Sequence, residues 1–120
     1  MKPTVYGAPL SALVRSVRMA LSEKGMEYDL VDVGVVHGEC KGVQHLARNP
    51  FGKVPLFDHD SHSIYETSAI VRYIDQVFDG PSALAASAAD QARMNPIISI
   101  IDNYGYQAII LEIRIYAVGN

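Results

Sequence analysis

The stretch NPFGKVPLFDHDSHSIYETSAI, residues 49–70, decides how this chain is read. Asn49-Pro50-Phe51-Gly52 is a turn signal, because Gly tolerates backbone conformations that other residues avoid and Pro presets its own. Val54–Asp58 (VPLFD) and Ser63–Tyr65 (SIY) are short runs of strand character, separated by a cluster of turn formers, DHDSH. This arrangement predicts an antiparallel hairpin. Glu66 then opens a helical pattern that runs to Phe78, with Ile70, Ile74 and Val77/Phe78 on one stripe. Asp79-Gly80-Pro81 stops it.

Upstream, residues 3–6 (PTVY) read as a strand ended by Gly7 and Pro9. Ser11 precedes a helix whose stripe is Leu13, Val17, Ala20, Leu21 and Lys24, with Gly25 as its stop. Residues 27–33 (EYDLVDV) read as a second strand, and a short helix is expected near Glu39–Ala47. The order is strand, helix, strand, short helix, strand, strand, helix. A helix between the first two strands predicts a parallel crossover. The expected fold is α/β: a thioredoxin-like mixed four-stranded sheet with helices on both faces.

Downstream, SALAASAAD (residues 82–90) is weakly patterned and reads as a linker. A further helix starts near Ser87 and carries Met94, Ile97, Ile98, Ile101 and Tyr104. Residues 111–118 (LEIRIYAV) switch to near alternation, a strand-like period. A helix apolar on several faces needs cover, so a partner layer is expected, from a second domain or another subunit.

Composition narrows the function classes. The chain has 120 residues, 49% apolar and 19% charged, a formal charge of −3 and no basic run, so a core-forming domain is expected and nucleic acid is not. One cysteine, Cys40, excludes an internal disulfide and suits a reducing compartment. The four His and the Cys show no metal-ligand spacing, so no metal is expected. With no apolar run near the ~20 residues of a membrane span and no apolar leader in MKPTVYGAP, a cytoplasmic location without membrane association is expected.

Three places could carry chemistry. Val54-Pro55 opens a strand, where Pro cannot donate to the ladder. The plain reading is an edge strand or a trans Pro in a loop; a cis bond would instead aim the N–H and C=O of Val54 outward, to pair with an extended peptide. At Glu66-Thr67-Ser68, the plain reading is helix capping by Thr67 or Ser68. The functional reading has the helix start hold a ligand carboxylate, while Glu66 pairs with an ammonium on the same carbon. Ser11 is in the plain reading an N-cap. Its hydroxyl can also donate to a thiolate, whose pKa the helix end lowers from about 8.5. Cys40 reads as an incidental or buried thiol, Lys41 and Lys53 as solvated or as partners of a second carboxylate, and His37, His45, His59 and His62 as surface residues.

YGAPLSALVRSVRMALSEKGMEYDLV, LARNPFGKVPLF and IYETSAIVRYI together resemble the N-terminal domain of the cytosolic glutathione transferases, bacterial and plant phi-class members above all. The resemblance covers residues 3–78. It implies that residues 1–80 bind glutathione, that 81–90 form a linker and that 91–120 are a remnant of an all-helical C-terminal domain, largely missing. It places a cis-Pro at Pro55, a backbone that pairs with the cysteinyl part of glutathione at Val54, and the γ-glutamyl grip at Glu66 and Thr67. It implies a catalytic hydroxyl at Ser11, or the Tyr of other classes at Tyr6, with Ser11 preferred. Lys41 falls where family members hold the glycine carboxylate, while the His usual beside it is replaced by Cys40; Lys53 occupies a position often filled by Gln. Implied partners are glutathione as co-substrate, a small electrophile and a second copy of the chain. The expected activity is conjugation of glutathione; the alternative is a glutathione-transferase-like binding module without turnover. A thiol–disulfide oxidoreductase is disfavoured, because no CxxC is present.

Overall fold

The computed structural model describes residues 2–33 and 42–111. Two compact units are found, residues 1–83 and 84–120. In the first, the elements are β1 (Thr4–Tyr6), α1 (Ala12–Glu23), β2 (Asp29–Val31), α2 (Val43–Arg48), β3 (Leu56–His59), β4 (His62–Tyr65) and α3 (Thr67–Val77). The strands lie in the order β2-β1-β3-β4. β1 pairs parallel with β2 and antiparallel with β3, and β3 pairs antiparallel with β4. This is the thioredoxin-like mixed sheet that the sequence predicts.

The register sorts side chains by face, since successive strand residues alternate. Val5 pairs with Phe57, and Phe57 with Ile64. These three meet the buried stripe of α1, now Val14, Val17 and Leu21, and Ile70 and Ile74 of α3. Val14 rather than Leu13 joins that stripe, a shift of one position from the expected face. The other face carries Tyr6, Asp58 and Ser63. There Arg48 of α2 lies 4.3 Å over the Tyr6 ring and pairs with Asp58 at 2.8 Å. Ser63 Oγ also donates to Asp58. The two faces are thus closed differently, one by aliphatic packing and one by a cation held against a ring and a carboxylate.

Ends follow the punctuation in the sequence. Ser11 caps α1, accepting from the Val14 N–H, and the helix closes with Gly25 at φ 63 while the Met26 N–H reaches back to the Leu21 carbonyl. Asp60, at φ 52, turns β3 into β4. Helices and strands start or stop within a few residues of their expected bounds. One reading needs correction. His45 and His59 are not surface residues; they are 5% and 8% exposed. The chain after α3 is tied back to the domain: Lys24 Nζ pairs with Asp75 at 3.0 Å and donates to the Pro81 carbonyl at 2.8 Å, and Asp75 accepts from the Ala83 N–H at 2.7 Å.

The second unit contains α4 (Ala88–Ile100), capped by Ser87, which accepts from the Asp90 N–H. It continues in π-type hydrogen bonding over Ile101–Leu111, an unusually long run for that form. Ile97, Ile100, Ile101, Tyr104 and Ile109 are exposed in this chain. The short helix expected near Glu39–Ala47 is found from Val43; its earlier part, with Cys40 and Lys41, and the strand-like reading of residues beyond 111 lie outside the described residues.

Candidate functional site

One end of the sheet gathers most of the singled-out residues. Tyr6 pairs with Leu56, and Leu56 with Tyr65. The next residues along each strand are therefore Gly7, Pro55 and Glu66, side by side. A Cβ on Gly7 would stand 2.3 Å from Val14 Cγ2 and 3.3 Å from Val54 Cβ. Only a residue without a side chain lets the exit of β1 pass between α1 and Val54. The N-termini of α1 and α3 and the start of β3 thus share this edge.

Ser11 sits here at the cap of α1, half-buried, its Oγ accepting from the Val14 N–H at 3.4 Å. That bond uses an oxygen lone pair and leaves the hydroxyl proton to donate elsewhere. Tyr6, the other candidate hydroxyl, carries the Arg48 guanidinium over its ring face. Burial depresses the Arg48 pKa, but its neighbours Tyr6 and Asp58 outweigh it and the net shift is upward.

The Val54-Pro55 bond is cis, as the resemblance implies. Pro55 is buried, Val54 half-buried and the Lys53 side chain exposed. The preceding loop is held by residues that the sequence reading passed over. His45 Nε2 lies 2.8 Å from the Lys53 carbonyl, and Asn49 Nδ2 donates to the same oxygen at 3.0 Å. Asn49 Oδ1 in turn accepts from the Phe51 N–H at 3.1 Å. The available signal was an Asn immediately before Pro-Phe-Gly, a residue that bonds backbone groups two positions on.

At the start of α3, Glu66 occupies φ 73 and ψ 120, an arrangement that L side chains rarely adopt. It turns the chain from β4 into α3 within one residue and makes no side-chain cap bond. Thr67 follows as the first helical residue, so the simple capping reading fails for it. Its Oγ1 is the one buried side-chain oxygen or nitrogen without a hydrogen-bond partner among the described residues. A buried hydroxyl left so costs about 1–3 kcal/mol, and a backbone outlier of this kind about 1–3 kcal/mol more. Both sit next to helix N–H groups that attract negative charge. The arrangement suits an anionic group with a second, cationic centre close by, the latter facing the exposed Glu66. Lys41 lies outside the described residues. Among those described, no group of three or more His, Cys, Asp or Glu is placed to hold a metal ion, and no helix is long and apolar enough to cross a membrane.

A sheet of this topology with a strand-opening Pro and a helix start beside it defines a thioredoxin-like domain. Comparison with known proteins narrows the class. Residues 1–76 match the model of the family described as Glutathione S-transferase, N-terminal domain, and the chain belongs to that family. It is 39% identical over 89 residues to Glutathione S-transferase F6 of Arabidopsis thaliana, covering 73% of this chain and 43% of the relative. To Glutathione S-transferase 4 of Zea mays it is 40% identical over 90 residues, covering 75% of this chain and 40% of the relative. The crystal structure of poplar glutathione transferase F1 superposes with a TM-score of 0.77 at 30% identity, over 86% of this chain and 50% of that one. The chain therefore spans less than half the length of these curated relatives.

Proposed function

We propose that this protein binds glutathione along the edge formed by Val54, Pro55, Glu66 and Thr67 and activates its thiol at Ser11 for attack on a small electrophile. The observation that carries this reading is the buried, unpartnered Thr67 hydroxyl at the start of α3. In the complex it donates to the γ-glutamyl carboxylate, and Glu66 meets the ammonium on the same carbon. The Val54 backbone pairs with the cysteinyl unit as an added strand does. Lys53, with Lys41, faces the glycine carboxylate.

That docking brings the sulfur to the N-terminus of α1. Ser11 donates its hydroxyl proton to the sulfur while its oxygen still accepts from Val14. The helix end adds a favourable potential, so the thiol gives up its proton to solvent at a lower pH than in water. The thiolate then attacks the electrophilic carbon; a C–S bond forms, and the leaving group departs with its bonding pair. The position of Ser11 at the N-terminus of α1, where the helix end itself favours a thiolate, supports it over Tyr6 for this role. We further read the protein as a cytoplasmic, detoxifying homodimer.

The test compares Ser11→Ala with Tyr6→Phe. Ser11→Ala is expected to lose roughly a hundredfold in conjugation of a chloro-aromatic acceptor and to raise the pKa of bound glutathione, followed by thiolate absorbance. Tyr6→Phe is expected to keep turnover. Full turnover with an unmoved thiol pKa in Ser11→Ala refutes the assignment. Glutathione binding without turnover in the unmodified chain would point to a binding module instead.

A further inference from the structure

We propose that His45 is a positioning residue of the glutathione site: with Asn49 it anchors the Lys53 carbonyl and thereby aims the Val54 N–H at the ligand. This rests on the glutathione reading above and adds a residue that touches neither ligand nor sulfur.

The argument is geometric. The Lys53–Val54 peptide unit is planar and trans, so its C=O and N–H point in opposite directions. Two donors hold the carbonyl: His45 Nε2 at 2.8 Å and Asn49 Nδ2 at 3.0 Å. Fixing the oxygen toward α2 fixes the Val54 N–H away from it. A carbonyl only accepts, so Nε2 must carry a proton, which sets the tautomer of the neutral ring. His45 is 5% exposed, so water cannot readily replace it as donor. The His45 backbone carbonyl also accepts from the Asn49 N–H at 2.8 Å, tying the two donors to one turn of chain. A backbone group meant to pair with an extended peptide gains affinity when its direction is set before binding, because less ordering is left to the complex. His45 supplies half of that order from the carbonyl edge of the peptide unit, opposite the N–H.

The experiment has a measurement on the unmodified chain and two variants. Long-range proton–nitrogen NMR correlation reads the His45 tautomer at a pH where the ring is neutral. Protonated Nε2 is expected; a bare Nε2 overturns the proposal, and this readout stands even if a variant fails to fold. His45→Phe keeps a flat ring without the donor. It should weaken glutathione binding by calorimetry roughly tenfold and shift the Val54 amide resonance. His45→Gln brings an N–H to the same oxygen and should recover binding to within about threefold. Equal affinity in His45→Phe and the unmodified chain, or no recovery in a folded His45→Gln, overturns the role of His45. If the unmodified chain itself binds no glutathione, the ligand reading falls first, and the positioning role falls with it.

Discussion

At the scale of single residues, Thr67 carries more of the functional argument than any other side chain. Its hydroxyl is buried without a partner, while every other buried side-chain oxygen or nitrogen among the described residues has one. Evolution of a purely structural helix start would place Val or Ala there, because an unpaired buried hydroxyl costs stability and returns none. Thr67→Val, of nearly the same shape, therefore has two effects of opposite sign. The ligand-free chain is expected to hold or gain up to about 1 kcal/mol of stability in urea unfolding. Glutathione affinity is expected to fall roughly ten- to a hundredfold, the worth of a hydrogen bond to a charged group. A loss of stability with unchanged affinity makes Thr67 an ordinary packing residue. Ser11 and Thr67 were both legible as residues of interest, because short hydroxyl side chains before or at a helix start are conspicuous. His45 was not. Its role depends on a carbonyl eight residues away, and no periodicity marks a bond from a side chain to a loop backbone.

Between elements, the pairing of α1 with α3 is locked by an ion pair as well as by the aliphatic core. Lys24 and Asp75 have side chains only 2% and 10% exposed. The Lys24 ammonium also donates to Pro81, and Asp75 accepts from Ser82 Oγ and the Ala83 N–H. The Ala83 N–H is the main cause that holds the Asp75 carboxyl below its ordinary 3.8; burial opposes this, and Ser82 and Lys24 add to the lowering. A carboxyl with a lower pKa folded than unfolded stabilises fully above the ordinary carboxylate range, and that contribution disappears as pH falls through the folded value. Asp75→Asn leaves Lys24 buried without its counter-ion and is expected to cost about 3 kcal/mol at neutral pH. The difference from the unmodified chain should shrink below the ordinary carboxylate range, where Asp75 itself becomes protonated. A cost under about 0.5 kcal/mol at neutral pH, or one that persists undiminished in acid, would show that the pair is not holding these helices. From the sequence, Lys24 was placed on the apolar stripe of α1 and residues 82–90 in a weakly patterned linker. Val17 and Leu21 of that stripe are buried while Val14 takes the place of Leu13, and the charge pairing was invisible, because its partner lies on another helix 51 positions along the chain.

For the molecule as a whole, α4 and its continuation present Ile97, Ile100, Ile101, Tyr104 and Ile109 to solvent. That many apolar side chains exposed along one helical segment exceed what a lone soluble unit usually tolerates. The homodimer in the proposal accounts for them, and light scattering is expected to give twice the mass of one chain across the micromolar range; a single-chain mass at high concentration would contradict it. Element types, their order and the hairpin in residues 49–70 were legible from the sequence alone. They rest on local chemistry: apolar spacing, Gly and Pro at turns, hydroxyls at helix starts. A parallel crossover and a hairpin made a mixed four-stranded sheet legible, while its order, β2-β1-β3-β4, is set by the antiparallel pairing of β1 with β3. What only the tertiary structure decided is which side chains face which partners. It buried His45 and His59, set Arg48 on Tyr6, and left Thr67 without a partner. These outcomes depend on contacts between residues distant in the chain, and local pattern carries no record of the distance, angle or exclusion of water that decides them.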